Sequence, residues 1–192
     1  MNGVKKAFIS YANKRLILSD VDKSLISHGI DIIVSDGRNF LSVFFLSFLF
    51  HKTKETLLYL VILSCLRGHT GGWHSESEFG CFVSYNLSYI LIISIMNLDL
   101  SVFVMSVLVL FSIVYINMFA PVEHPNNPLS HAERIRNKEI SFFYTFLFSM
   151  LYIVLLGSGH VLYAKMILLT FLYDTMLMEI LRRSKKRGNH GK

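Results

Sequence analysis

Four stretches of this chain are long and apolar enough to cross a lipid bilayer, and they constrain the fold more than any other feature of the sequence. A transmembrane helix needs about 20 mostly apolar residues, because its backbone must satisfy its own hydrogen bonds within the hydrocarbon core. Two shorter apolar runs precede them, at residues 40–50 and 56–66. The pattern predicts an all-α, polytopic helical membrane protein with four clear and two short transmembrane helices. The four long runs are residues 81–98, 100–120, 140–157 and 161–181.

Composition supports the bilayer as the solvent of this chain. Hydrophobic residues make up 53% of the 192 residues and charged residues only 17%, and the mean hydropathy is +0.48. An ordinary soluble domain is less apolar and carries more charge. Lys and Arg outnumber Asp and Glu by 19 to 13, but the excess lies at the chain ends and in short loops. That distribution fits membrane topology and does not predict nucleic-acid binding.

The cysteine content leaves free thiols as the chemically interesting possibility. The two cysteines, Cys65 and Cys81, are too few for a disulfide framework. The sequence also lacks the Cys-x-x-Cys spacing of zinc and redox sites. We therefore predict no metal and no cofactor.

Residues 1–35 alternate basic and apolar positions at helical spacing. This pattern predicts amphipathic helices on the cytoplasmic leaflet, or equally a helix packed against the protein's own loops. The first residues have no long apolar core with a cleavage site, so we do not expect a removable signal peptide. Residues 1–35 are accordingly predicted as an amphipathic region, and residues 36–192 as a helical membrane domain.

Basic residues predict the orientation, because loops rich in Lys and Arg stay cytoplasmic. Residues 121–139 and the tail after residue 181 are basic, whereas the turns at 97–99 and 157–160 contain no Lys or Arg. The two short runs form either two tilted crossings or a re-entrant hairpin, and we favour six crossings in total. The prediction is a multi-pass cell-membrane protein with both termini and residues 65–81 on the cytoplasmic side.

Residues 65–81, CLRGHTGGWHSESEFGC, are polar although they join two apolar runs. So many polar groups at a membrane boundary are costly unless they are used or paired. A cysteine nucleophile acts as a thiolate, and a nearby imidazole favours that form or takes its proton. His74 and Cys81 are the closest such pair in this segment. The alternative is that Cys81 is a small buried hydrophobe and His74 an interfacial polar residue.

A continuous helix would hold His74 and Cys81 about 10.5 Å apart along its axis, because each residue adds roughly 1.5 Å. If they act together, the chain must fold back between them. Gly80, with Gly71 and Gly72 upstream, supplies the backbone freedom for such a break. An unbroken helix over residues 72–84 would separate the pair.

Other residues of the segment have two interpretations each. Arg67 either binds a substrate carboxylate or extends to the interface as a helix end marker. Glu76 and Glu78 either orient His74 or form a solvated face, and amides near Gly71 and Gly72 are candidates for an oxyanion site.

Outside the segment, Asp174 lies within the last apolar run, where it either faces the site or hydrogen-bonds a neighbouring helix. Cys65 lies inside an apolar run and is predicted to pack there.

The arrangement Arg67, Gly71-Gly72, His74 and Cys81 resembles the signature of the AgrB family, the accessory gene regulator B peptidases of Gram-positive quorum sensing. The similarity extends over most of the chain, including the basic N-terminus and the long span that ends at Ala120-Pro121. The resemblance implies that Cys81 is the nucleophile and His74 the base, with Arg67 and Gly72 in support. Trp73 stands where small residues are common in the family, and it is a candidate contact for the peptide. Glu123 and His124 occupy a loop that is more basic in several relatives.

What the resemblance implies is a membrane-embedded cysteine endopeptidase. Such a protein binds an AgrD-like propeptide, cleaves its C-terminal tail through a thioester acyl-enzyme and promotes cyclisation to a thiolactone or lactone. Family behaviour also suggests a homodimer. The competing hypothesis is a peptide-binding or peptide-export membrane protein without proteolytic chemistry, in which Cys81 has no chemical role.

Overall fold

The computed structural model of the protein describes residues 20–72, 77–123 and 129–190, and these residues form helices joined by short connections. Within them no strand forms, and an isolated parallel bridge joins Gly71 to Val122. The prediction of an all-α fold is therefore confirmed. The helices are α1 (Asp20–Leu49), α2 (Thr53–Thr70), α3 (Glu78–Met96), α4 (Val102–Phe119), α5 (His131–Gly157) and α6 (Val161–His190).

Four of these helices are long and apolar enough to cross a membrane, and they coincide with the four long apolar runs of the sequence. The qualifying segments are Phe79–Met96, Val102–Phe119, His131–Gly157 and Val161–Lys185. Helix α5 begins well before its apolar run because Ser130 and Glu133 form a capping box. Helices α1 and α2 contain the two short runs, and their crossing of the membrane stays a prediction.

Helix α1 is continuous from Asp20 to Leu49. The boundary predicted at residue 35 between an amphipathic region and the membrane domain therefore falls inside one helix. Residues 1–19 lie outside the described part of the chain. The location of residues 1–35 on the cytoplasmic leaflet stays a prediction.

Helix α6 is the interior helix of the bundle. In its 18-residue apolar window, 72% of the residues are buried, against 22% to 28% in the corresponding windows of the other three candidate spans. It packs against α2, α3, α4 and α5, while α2 also contacts α1 and α5. The buried side chains of α2 and α6 make up much of two adjoining apolar clusters. Helix α6 has the lowest mean hydropathy of the four candidate spans, and it contains the buried residues Lys165 and Asp174. Ionisable side chains within a membrane face the bundle interior, which accounts for the position of α6.

Large apolar side chains cover the outer faces of α3, α4 and α5. Phe103 is 77% exposed, Val154 64% and Leu87 63%. A surface with this much exposed apolar area is unfavourable in water and favourable against lipid. The bundle therefore has the outward face expected of a protein whose solvent is the hydrocarbon core.

The connection between α2 and α3 lies within residues 65–81, the segment predicted to be catalytic. Helix α2 ends at Thr70, because Gly71 adopts φ 73° and ψ −180°. Helix α3 begins at Glu78, with the Ser77 hydroxyl accepting a hydrogen bond from the Gly80 amide at 3.0 Å. Residues 72–84 are therefore not one unbroken helix. Our expectation that Gly80 contributes to the break is wrong, since the Ser77 cap places Gly80 inside the first turn of α3.

Candidate functional site

Cys81 lies in the first turn of α3, half-buried, on the side that faces α1. The Asn39 side chain of α1 reaches it, with Nδ2 donating to Cys81 Sγ at 3.7 Å. Two further contacts join the same helices. Ser42 Oγ of α1 donates to Asn86 Oδ1 of α3. The Arg38 guanidinium of α1 lies 5.6 Å from the centre of the Phe82 ring of α3. Packing against α1 thus fixes the depth and direction of the thiol.

A cavity of about 230 Å³ opens beside Cys81, between α2, α3 and α6. Its wall is mainly apolar, with a few polar groups from Arg67, Tyr85 and Tyr173. Cavities that bind ligands commonly combine an apolar wall with a small number of placed polar groups. The fold therefore brings Arg67 and Cys81, two of the predicted site residues, to one cavity. The remaining lining residues are Ser84, Leu87, Ser88, Met176, Leu177 and Ile180.

Arg67 also lines a second cavity of about 150 Å³, at the end of α2. The guanidinium interacts electrostatically with Asp36 of α1 and with Asp174 of α6. Burial raises the pKa of Asp36 above its ordinary value, and the positive charge of Arg67 opposes that rise. Arg67 thus contributes a positive charge to the walls of both cavities. The second cavity is also lined by Gly68, His69, Gly71, Gly72, Pro121, Val122, Glu123, Leu129 and Asn137.

Gly71 and Gly72 lie where the chain leaves α2 and passes close to two other elements. A Cβ at Gly71 would overlap the Val122 carbonyl oxygen, and one at Gly72 would lie 3.3 Å from Leu177 Cβ of α6. The Val122 amide donates to the Thr70 carbonyl at 2.8 Å, which fixes the end of α2 against the chain that follows α4. The two glycines permit this close approach.

Asp174 is fully buried in α6 and contacts the end of α2. Thr70 Oγ1 donates to Asp174 Oδ1 at 3.1 Å. This is the hydrogen bond to a neighbouring helix that was one of the two interpretations of the residue. Because Thr70 precedes Gly71, the bond also ties α6 to the point where the chain leaves α2.

Three of the predicted site residues, Trp73, His74 and Glu76, lie outside the described residues, as does the side chain of Glu78. The pairing of His74 with Cys81 therefore stays a prediction. Within the described residues, no group of three His, Cys, Asp or Glu side chains is arranged to hold a metal ion. Cys65, the other thiol, packs against the apolar cluster that contains Ile62 and Leu66.

Sequence reasoning missed Asp36 and Asn39 of α1 and Tyr85 and Tyr173 of the cavity wall. The sequence contains a signal for Asp36 and Asn39, because these polar residues are three apart, lie on one helical face and precede the apolar run at residues 40–50. Nothing in the sequence indicates that this face meets Cys81, 42 residues from Asn39.

Comparison with known proteins gives one consistent result. A family model described as Accessory gene regulator B matches residues 5–181. A Clostridium perfringens (strain SM101) protein named AgrB-like is 30% identical over 129 residues, which are 63% of this chain and 57% of that protein.

Two further relatives carry the same family designation. A Clostridium perfringens (strain 13) protein named AgrB-like protein 2 is 27% identical over 67% of this chain and 64% of its own length. The Accessory gene regulator protein B of Staphylococcus aureus is 22% identical over 64% of this chain and 65% of its own. The matched region spans less than two thirds of each of these three relatives. No solved structure matches the chain.

Proposed function

Because the chain belongs to the accessory gene regulator B family, whose model matches residues 5–181, we propose that it is a membrane-embedded cysteine endopeptidase. Its substrate is an AgrD-like propeptide with an amphipathic helix, an internal Cys or Ser and an acidic C-terminal tail. The products are the released tail and a cyclic thiolactone or lactone peptide for quorum sensing.

The observation that carries this proposal is the position of the Cys81 thiol. Its sulfur lies beside a cavity large enough for side chains of a peptide, and the Arg67 guanidinium lines the same cavity. A nucleophile has to be reachable by substrate and shielded from bulk water at once. A half-buried thiol at the mouth of an apolar cavity in a membrane protein meets both conditions.

The reaction proceeds in two acyl transfers. The Cys81 thiolate attacks the scissile carbonyl carbon, the C–N bond breaks, and His74 delivers a proton to the departing amine. The N-terminal part of the propeptide is then held on Cys81 as a thioester. The internal thiol or hydroxyl of the substrate attacks that thioester, its proton passes through His74 to the Cys81 sulfur, and the cyclic product leaves.

Exclusion of water decides whether the second transfer gives a ring. Hydrolysis of the thioester would yield a linear peptide, so a dry site favours cyclisation. The wall of the cavity, with Leu177, Met176 and Ile180 of α6, supports this requirement. Arg67 is the candidate contact for the acidic tail, because a guanidinium binds carboxylates through a bidentate fork.

The test is cleavage of an AgrD-like propeptide by the full chain in membranes. Cys81→Ser and His74→Ala are each expected to abolish tail release, at unchanged protein level in the membrane. Cys65→Ala is the matched control, since Cys65 packs within the helical bundle, and it is expected to cleave normally. Mass spectrometry of the wild-type protein with a propeptide lacking its internal Cys or Ser should detect the thioester on Cys81.

The alternative, a peptide-binding or export protein without this chemistry, makes a different prediction. In that case the propeptide would cross-link to the cavity residues, yet Cys81→Ser would not change how the propeptide is processed or exported. Cleavage that persists in Cys81→Ser would refute the peptidase proposal. The proposed homodimer is tested separately, by cross-linking in the membrane.

A further inference from the structure

Asn39 is a buried polar residue of α1 that contacts the Cys81 thiol. Its side chain is 1% exposed, and Nδ2 donates to Cys81 Sγ at 3.7 Å. Among the described residues, its Oδ1 has no hydrogen-bond partner. Buried amides are normally paired at both ends, because an unpaired polar atom costs about 1–3 kcal/mol.

Asn86, on the partner helix of the same interface, shows what a purely structural amide looks like. Its Nδ2 donates to the Phe82 carbonyl at 2.8 Å, and its Oδ1 accepts from Ser42 Oγ. Both ends are satisfied by protein atoms, about one and a half helical turns away from Cys81. The two amides occupy comparable positions between α1 and α3, and they differ in that Asn39 contacts the thiol.

An N–H group directed at a cysteine sulfur favours the thiolate over the thiol. A hydrogen bond to the charged form stabilises that form, and its effect grows where water is scarce. In the proposed reaction the sulfur is negatively charged twice, before it attacks the carbonyl and again when it leaves the thioester. It is uncharged in the acyl-enzyme between those steps. A donor held at the sulfur therefore assists both transfers.

We propose that Asn39 is a catalytic residue, whose side-chain N–H stabilises the Cys81 thiolate. The inference rests on the proposed function, because it assigns Asn39 a part in that reaction. It also explains why α1 has an amide at this buried position, where an apolar side chain would pack at lower cost.

The test measures the thiol directly, without the propeptide. The full chain is purified in lipid nanodiscs with Cys65→Ala, so that Cys81 is the sole thiol, and the rate of alkylation by iodoacetamide is followed against pH. Asn39→Ala removes the donor, and Asn39→Asp keeps the shape of the side chain but replaces the donor with a carboxylate. Ser42→Ala is the matched control, since it breaks a polar contact in the same interface without touching the sulfur.

The expected result is a displaced pH profile in the Asn39 variants only. Loss of a hydrogen bond to a charged group moves the profile up by about one pH unit, so the alkylation rate near neutral pH falls roughly tenfold. Asn39→Asp should move it further, because a carboxylate repels the thiolate. Ser42→Ala should follow the Cys65→Ala parent. Propeptide cleavage by the two Asn39 variants should fall in parallel with their alkylation rates.

Two outcomes would overturn the inference, and they are distinguishable. If both Asn39 profiles coincide with that of Ser42→Ala, Asn39 has no role at the sulfur, and the proposed peptidase function is untouched. If cleavage instead persists in Cys81→Ser, the peptidase function fails, and the catalytic role of Asn39 fails with it.

Discussion

Gly71 shows at the scale of one residue why this segment needs glycine. Its combination of φ 73° and ψ −180° lies in a region that residues with a Cβ enter only at a cost of about 1–3 kcal/mol. The Val122 carbonyl oxygen also occupies the space that a Cβ would take. The backbone conformation of Gly71 and its close contact with Val122 therefore each disfavour any residue that has a Cβ.

We predict that Gly71→Ala destabilises the protein by more than about 2 kcal/mol, since strain and the steric clash add. It should also impair propeptide cleavage, because the chain leading to His74 is displaced. Thermal unfolding in nanodiscs and the cleavage assay measure the two effects. Gly68→Ala is the control, because Gly68 lies in α2 and a methyl group added there would meet no atom within 4 Å. Equal stability of the two variants would contradict the argument.

Asp174 is the second residue whose role can be isolated. Its Oδ1 accepts from Thr70, while Oδ2 has no hydrogen-bond partner among the described residues. An amide would retain the acceptor and remove the possibility of a buried charge. We predict that Asp174→Asn is at least as stable as the wild type and still cleaves propeptide, whereas Asp174→Ala loses about 1–3 kcal/mol by breaking the bond to α2. Loss of cleavage in a stable Asp174→Asn protein would instead indicate a chemical role for the carboxylate.

At the scale of helices, the far end of α3 depends on a buried cation. Lys165 of α6 is 7% exposed, and its Nζ donates to the carbonyls of Met96 at 3.1 Å and Leu98 at 2.7 Å. The last carbonyls of a helix have no partner within the helix, and a cation there also interacts favourably with the helix dipole. Lys165 thereby couples the end of α3 to the interior helix.

We predict that Lys165→Met lowers stability by about 1–3 kcal/mol, because buried carbonyls lose their donor. Lys185→Met is the matched control, since the Lys185 side chain is 46% exposed and its Nζ lies 3.8 Å from Glu123 Oε2, where an ion pair contributes little. The variants are compared by their thermal unfolding midpoints, measured in nanodiscs at one scan rate. The account of Lys165 would be refuted if both substitutions lowered the midpoint equally.

The helices and the site differ in how far the sequence determines them. The four long spans follow from counting apolar residues, since a bilayer imposes one length on all of them. Even the early start of α5 is encoded locally, by Ser130 and Glu133. The glycines differ in their surroundings: the Ser77 cap places Gly80 inside α3, whereas Gly71 ends α2 where the chain after α4 approaches at Val122.

Contacts distant in sequence account for the rest of what sequence reasoning missed. Asn39 reaches Cys81 because α1 packs on α3, and Arg67 meets Cys81 in one cavity because α2, α3 and α6 converge there. Such convergence depends on the packing of whole helices, which the apolar pattern of each helix does not specify.

Over the whole molecule, basic loops and the candidate site gather at one end of the bundle. Glu123, just after α4, pairs with Arg134 at the start of α5 and with Lys185 in the tail of α6. The bridge between Gly71 and Val122 brings the end of α2 to the same place. The opposite turns, at residues 97–99 and 157–160, contain no Lys or Arg. Since the basic end of a membrane protein stays cytoplasmic, this arrangement supports a cytoplasmic location for the proposed active site.

We therefore predict that Ser158 faces the exterior and Ser184 the cytosol. In a chain with Cys65→Ala and Cys81→Ala, Ser158→Cys should react with a membrane-impermeant maleimide in intact cells. Ser184→Cys should react only after permeabilisation, because it lies among the basic residues of the tail. Both side chains are exposed, so failure to react reports sidedness and not burial. The reverse labelling would place the Cys81 cavity near the outer surface, where a propeptide made in the cytosol would have to cross the bilayer before it could be cleaved.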